Sequence, residues 1–253
     1  MKKNDSVFNA YSRYYDLLYQ DKDYVGETDY LQALLVRHGI ALGNLLDFGS
    51  GTGKHGRLLA ERGYQVHGIE RSAEMVSQAA LSVGFTCQQG DICTVQLGRT
   101  FNAVLSLFHV VSYQVSNDAL LSVFARASEH LLSGGLFIFD VWYSPAVYAQ
   151  RPEVRVKRMA DDSVEITRIA EPVIYPNENR VDVNYTVFAR DVVTGESSEF
   201  TETHPMRHFS IPEIDTLATL CGFELVTAEA FLTGDQPSEN TWGVCFVLRK
   251  NRS

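Results

Sequence analysis

The feature that most constrains this chain is an apolar run that passes directly into alternating glycines, Leu45-Leu46-Asp47-Phe48-Gly49-Ser50-Gly51-Thr52-Gly53. Glycine is needed where backbone adopts positive φ or approaches a ligand closely, so this is a strand running into a special loop. A helix near Lys54–Arg62 follows. Short β-rich runs then alternate with helical stretches. Strands are expected at Asn44–Phe48, Gln65–Ile69, Phe85–Gln89 and Phe101–Leu107, with a second helix at Ala73–Val83. Such repetition implies a parallel sheet with right-handed crossovers. A further helix, about Asp118–Leu131, should stop at Ser133-Gly134-Gly135, making Leu136–Trp142 a buried fifth strand. Ahead of the loop, aromatic and aliphatic residues at helical spacing predict two helices within residues 8–37.

After Pro145 the period changes to two. Val154/Val156, Val164/Ile166 and Val181/Val183/Tyr185/Val187 alternate between turn formers at Asp161-Asp162, Pro176–Asn179 and Thr194-Gly195. That describes antiparallel hairpins inserted into the α/β unit. A helix from Pro212 to Cys221 and a strand pair, Phe223–Phe231 with Trp242–Leu248, close the chain. The expected organisation is residues 1–150 for the N-terminal helices and α/β core, 151–209 for an antiparallel sheet roofing a pocket, and 210–253 for the end of the core. The fold class is α/β: a mostly parallel sheet of seven strands with helices on both faces, plus the inserted antiparallel sheet.

Composition narrows the partners. A formal charge of −9, with Lys and Arg dispersed, disfavours a nucleic-acid substrate, because proteins that track phosphate backbones carry basic stripes. The apolar runs fall short of the ~20 residues a membrane span needs. Met1-Lys2-Lys3-Asn4-Asp5 has no apolar stretch behind its lysines and does not read as a secretory signal, so a cytoplasmic location is expected. Cys87, Cys93, Cys221 and Cys245 lack metal-ligand spacing and read as reduced, buried thiols; no metal is expected.

The glycine loop alone is ambiguous, since Gly51-Thr52-Gly53-Lys54-His55-Gly56 also satisfies the dinucleotide pattern. Glu70, at the end of the second strand, suits both ribose hydroxyls of an adenosine cofactor, and an NAD enzyme would share that carboxylate. Asp47 and Asp91 arbitrate. A carboxylate just before the first glycine suits a cationic amino-acid moiety and would repel a pyrophosphate. Gly90-Asp91-Ile92, after the third strand, offers an acceptor for an adenine amino group. Three carboxylates at consecutive strand ends suit a sulfonium, an ammonium and an adenosine.

With the Leu131–Leu136 lead into strand five, these motifs resemble the class I S-adenosylmethionine-dependent methyltransferases over roughly residues 40–145, implying a Rossmann-like core. The resemblance implies a cofactor set of Asp47, Gly49, Ser50, Gly51, Gly53, Glu70, Arg71, Met75, Asp91, Ile92, Leu107 and Phe108, with Tyr11 or Tyr15 against the cofactor. In more detail, Tyr15–Tyr19, Phe101–Ser106, Glu129–Leu131 and Asp140–Pro145 resemble bacterial enzymes that N-methylate nucleotide-linked amino sugars. That likeness implies Tyr19 near an acceptor amine.

The segment Leu105–Tyr113 lacks the Asn/Asp-Pro-Pro-Tyr/Phe motif of nucleic-acid amino-methylating enzymes and any Pro-Cys nucleophile. A small-molecule acceptor follows, a nucleotide-linked amino sugar being the expected one. His109 is the candidate base, because an imidazole titrates near neutrality; its alternative is a packing histidine. Tyr113, Trp142 and Arg207 are the candidate acceptor contacts, and Arg155, Lys157, Arg158 or Arg207 could meet a diphosphate. For His204 and His208, pocket lining and ordinary strand-end polarity are equally open. Other readings stay open too: another small metabolite methylated on N or O, a non-catalytic cofactor-binding protein, and, more remotely, an NAD-dependent oxidoreductase. Oligomeric state is left open, a homodimer included.

Overall fold

The computed structural model describes residues 14–252, the side chains of Tyr15 and Asp16 apart. Five strands, β1 (Asn44–Phe48), β2 (Gln65–Glu70), β3 (Phe85–Gln89), β4 (Phe101–Ser106) and β5 (Leu131–Trp142), are joined in parallel. Two more, β10 (Phe223–Ala230) and β11 (Gly243–Lys250), complete a seven-stranded sheet of order β10-β11-β5-β4-β1-β2-β3, β11 running antiparallel to both neighbours. The order reverses between β1 and β4, so a crevice opens there at the carboxyl ends of the strands, where α/β sheets bind ligands.

Strand alternation divides the core between the two faces. Leu46, Phe48, Val104, Phe137, Phe139 and Phe246 pack on one face; Leu45, Ala103, Leu105, Leu136, Ile138 and Val247 pack on the other. Helices cover both: α2 (Tyr24–Arg37) and α3 (Lys54–Glu61) supply Leu31, Leu34, Leu35 and Leu59 to the second cluster, while α5 (Asn117–Glu129) and α7 (Ile211–Leu220) supply Leu120, Phe124 and Ile214 to the first. Central strands buried on both faces explain why the sequence reads there as continuous apolar runs.

The inserted sheet has four antiparallel strands, β6 (Arg155–Ala160), β7 (Val164–Tyr175), β8 (Arg180–Asp191) and β9 (Ser197–Arg207). Its inner face meets α1 (Tyr15–Leu18) through Leu18, Ile166, Val187 and Ala189. It meets the core through Val147 of α6 (Ser144–Gln150), Val181, Val183 and Met206. Lys157 Nζ adds bonds to the Leu18 carbonyl (2.7 Å) and to Asp21 (2.8 Å).

Several expected boundaries move. The helix before β5 ends at Glu129 and β5 begins at Leu131, so the Gly134-Gly135 pair is a bulge inside the strand. Buried His130 ends that helix: Nδ1 lies 2.7 Å from the Arg126 carbonyl, and Nε2 accepts Leu97 N–H. The helix α4 (Ala73–Gln78) stops five residues short of Val83, because Ala79 turns extended and Ser82 bridges to Phe85 around Gly84. Of the four cysteines, all free, only Cys245 is fully buried. No helix among the described residues is long and apolar enough to cross a membrane.

Candidate active site

All three loop glycines have positive φ (75°, 55° and 77° at Gly49, Gly51 and Gly53), a conformation that side chains resist. Their surroundings differ. A Cβ on Gly49 would strike Val110 at 2.6 Å and one on Gly53 would strike Phe85 at 2.5 Å, whereas Gly51 faces open space. Packing dictates two of the glycines, and of the three only Gly51 has open space where a Cβ would stand.

The loop ends in a small pocket lined by Asp47, Gly49–Thr52, Tyr24, Lys54, His55, Leu107 and Phe108. Asp47 is buried, no described residue donates a hydrogen bond to it, and burial pushes its carboxyl up to about 6. Glu70 is buried as well, and burial raises its pKa although its carboxylate accepts Gly51 N–H (2.9 Å) and Ser72 N–H (2.8 Å). The first of these bonds ties β2 to the glycine loop, and the second closes the turn after β2. Asp91 Oδ1 accepts the backbone N–H of Cys93 at 2.8 Å.

Beside this pocket a cavity of about 910 Å³ runs from Glu70, Met75 and Asp91 past Gly51 and Phe108 to His109, Tyr113 and Trp142, and on to Val183, Tyr185, His204 and Met206 of the inserted sheet. That volume is at the top of the range for small-molecule sites, roughly 300–1,000 Å³, enough for a cofactor and a second ligand together.

Midway along it, Phe108 and His109 both hold left-handed backbone (φ 63° and 62°) before a 3₁₀ turn at Val110–Tyr113. Consecutive non-glycine residues in this region are strained, a state found at functional sites when packing enforces it. The enforcement is visible. His109 Nδ1 lies 2.7 Å from Asp140 Oδ2, His109 N–H points to Asp140 Oδ1 at 3.4 Å, and Phe108 meets the Tyr19 ring edge-on at 4.9 Å. Asp140 is 1% exposed; burial works to raise its pKa, but the His109 ring and backbone N–H outweigh that and hold it below the ordinary carboxylate value.

A methyltransferase-domain profile matches residues 45–135. A dTDP-3-amino-3,6-dideoxy-alpha-D-glucopyranose N,N-dimethyltransferase of Streptomyces fradiae is 30% identical over 180 residues, 70% of each chain. This chain belongs to the S-adenosylmethionine-dependent methyltransferases. A dTDP-3-amino-3,4,6-trideoxy-alpha-D-glucopyranose N,N-dimethyltransferase of Streptomyces venezuelae is 29% identical over 223 residues, 87% of this chain and 92% of the other. The crystal structure of a sugar N-methyltransferase from Streptoalloteichus superposes with a TM-score of 0.81 at 21% identity, covering 100% of this chain and 96% of that one.

In this methyltransferase the expected cofactor residues Asp47, Gly49, Ser50, Gly51, Glu70, Arg71, Met75, Asp91, Ile92, Leu107 and Phe108 line the small pocket or the cavity. Gly53 does not; it packs on Phe85. Tyr11 and the side chain of Tyr15 lie outside the described residues. Tyr19, His109, Tyr113 and Trp142 also line the cavity. Arg207 is not among the cavity-lining residues: its guanidinium is turned to Glu213 (2.7 Å) and Asn117 (2.8 Å), clamping β9 to α7 and α5. Of the basic residues considered for a diphosphate, Arg155 alone reaches the cavity, and Lys157 is paired with Asp21. His208 leaves the site too, bonded to Ser144 Oγ at 2.8 Å in the core.

Asp140 is the residue that sequence reasoning missed. Its signal was present, as the only charged side chain in the apolar run Leu136–Trp142. A charge at such a position is costly unless paired, and the partner, His109, is 31 residues away in the chain.

Proposed function

We propose that this methyltransferase transfers a methyl group to the amino nitrogen of a nucleotide-linked sugar. The observation that carries the reading is the single cavity that joins the glycine-loop region to the inserted sheet, with His109 between them. The activities of the two Streptomyces relatives, both N,N-dimethyltransferases named for dTDP-linked amino sugars, support the acceptor class.

The donor set fits the cofactor. Asp47 is a buried carboxylate raised toward neutrality, as expected of a group that awaits a cation, and would face the cofactor's ammonium. Glu70, already oriented by two backbone N–H groups, would take the ribose hydroxyls, and Asp91 the adenine amino group. Gly51 would allow close backbone approach, between apolar walls from Met75, Ile92, Leu107 and Phe108. When bound, S-adenosylmethionine supplies an electrophilic methyl on a sulfonium.

The protein's own contribution is alignment, dryness and proton removal. Tyr19, Phe108 and Trp142 wall the acceptor end. Asp140 holds the Nδ1 side of His109, which leaves Nε2 to take a proton from the acceptor nitrogen. Arg155, at the inserted sheet, is the candidate for an acceptor phosphate. One observation favours a second reading: a carboxylate-backed histidine is also what a hydroxyl acceptor requires, so O-methylation is the competing chemistry.

A single panel separates the two. Methyl-labelled cofactor is incubated with nucleotide-linked sugars that carry an amine, or a hydroxyl at the same carbon, and products are read by mass. Transfer to the amines is expected; transfer confined to hydroxyls, or to neither set, refutes the proposal.

A further inference from the structure

We propose that Tyr113, backed by His204 and Glu202, binds a ring hydroxyl of the acceptor sugar and so sets which amino sugars are methylated. This deepens the reading above and rests on it.

The inner face of β9 is unusually polar for a strand. Inward positions of β9 alternate Phe200, Glu202, His204 and Met206, so two of four are polar. The His204 and Glu202 side chains are only 3% and 7% exposed. Burying an imidazole and a carboxylate is costly unless both are used. They form a chain that leaves the inserted sheet: His204 Nε2 lies 3.2 Å from Glu202 Oε2, and His204 Nδ1 lies 3.0 Å from the Tyr113 hydroxyl. Tyr185, paired with Glu202 across the strands, fixes the imidazole by an edge-on contact at 4.8 Å. Tyr113 and His204 both line the cavity.

The position of Tyr113 matters. It ends the 3₁₀ turn that His109 begins, and at a rise of roughly 2 Å per residue the two backbones stand about 8 Å apart along that turn. A ring-sized acceptor can present its amine to His109 and another substituent to Tyr113; a bare amine cannot reach both.

The chemistry of the chain selects that substituent. An ionised Glu202 only accepts, so it takes the proton on His204 Nε2. With a neutral imidazole, Nδ1 then accepts from the Tyr113 O–H, and the phenolic oxygen offers lone pairs to a ligand. With an imidazolium, Nδ1 donates and the Tyr113 O–H turns to the ligand instead. A hydroxyl both donates and accepts, so it pairs with Tyr113 in either state. A methylene in its place pairs in neither, and a site built to bond a hydroxyl rejects the analogue that lacks it.

The test uses the full-length enzyme and nucleotide-linked amino sugars differing only by a hydroxyl or hydrogen at each ring carbon flanking the amine. Selectivity is the ratio of kcat/KM values, read independently as the ratio of Kd values by calorimetry with S-adenosylhomocysteine present. Wild type should favour one hydroxylated acceptor by about tenfold or more. Tyr113→Phe should bring the ratio close to one while cofactor affinity holds. His204→Gln, whose amide can still bond Tyr113, should keep most of the preference; His204→Leu should lose it. A merely structural role for Tyr113 would depress both acceptors equally and leave the ratio intact, which overturns the proposal. So does a wild-type enzyme that methylates amino sugars without regard to any flanking hydroxyl. Failure to methylate any amino sugar is a separate outcome: it overturns the acceptor reading, and this inference with it.

Discussion

Asp47 gives the sharpest quantitative prediction, because one buried charge controls both stability and cofactor binding. Burial raises its carboxyl from an ordinary 3.8 to about 6. Between those values the folded protein holds a proton that the unfolded chain releases, so stability from this group rises as pH falls through the window and is lost as pH rises through it. Above the window the ionised group destabilises the empty enzyme by up to ~3 kcal/mol, from two pKa units at about 1.4 kcal/mol each. A bound ammonium reverses the preference, since it stabilises the carboxylate. Cofactor affinity must then fall as protons compete for Asp47, by about tenfold (~1.4 kcal/mol) between about pH 7.5 and about pH 5. Calorimetry with S-adenosylhomocysteine at those two pH values measures this directly. Methylthioadenosine, which lacks the amino-acid moiety, should show a smaller loss that belongs to Glu70 alone. Asp47→Asn should flatten the difference between the two ligands and raise the melting temperature of the empty enzyme by roughly 2–6 °C. Equal pH dependence for both ligands, or an Asp47→Asn enzyme that binds S-adenosylhomocysteine like wild type, refutes the reasoning.

Three further outcomes follow from the same geometry. Glu70→Ala should weaken cofactor binding by roughly 1.5–3 kcal/mol, because charge-assisted hydrogen bonds are lost; a Kd within twofold of wild type would put the ribose elsewhere. Gly51→Ala and Gly53→Ala should part company. Gly53→Ala, with Phe85 at 2.5 Å from the new methyl, should cost stability by about 2 kcal/mol or more in thermal melts, whereas Gly51→Ala, facing open space at a similar φ, should cost about 1 kcal/mol and lose cofactor affinity instead. Asp140→Asn should lower kcat by about tenfold or more and leave the Kd for S-adenosylhomocysteine within about twofold, since Asp140 meets His109 and not the loop; matched losses in both would assign it to folding.

What the sequence disclosed and what it hid divide along one physical line. Strand alternation, the glycine loop and the carboxylates at strand ends are local features, so the parallel core and the ends of β1, β2 and β3 were legible from Leu45, Asp47, Glu70 and Asp91. The inserted sheet was legible for the same reason, as a change of period after Pro145. The glycines illustrate the limit. Their positive φ could be inferred from residue type, but Val110 against Gly49 and Phe85 against Gly53 are contacts over 61 and 32 residues, which no local pattern carries. His109 and Asp140 repeat the lesson: His109 stood out alone, Asp140 did not, and the pair is made by the register of β5 with β4. Arg207 shows the converse, since a lone arginine near a pocket looks available until Glu213, in the first turn of the next helix, is seen to pair with it. The Glu202–His204–Tyr113 chain is the same case at the acceptor end. Its members fall on two elements joined only through the fold, and the cost of burying them is what marks the chain as a place to look for a ligand.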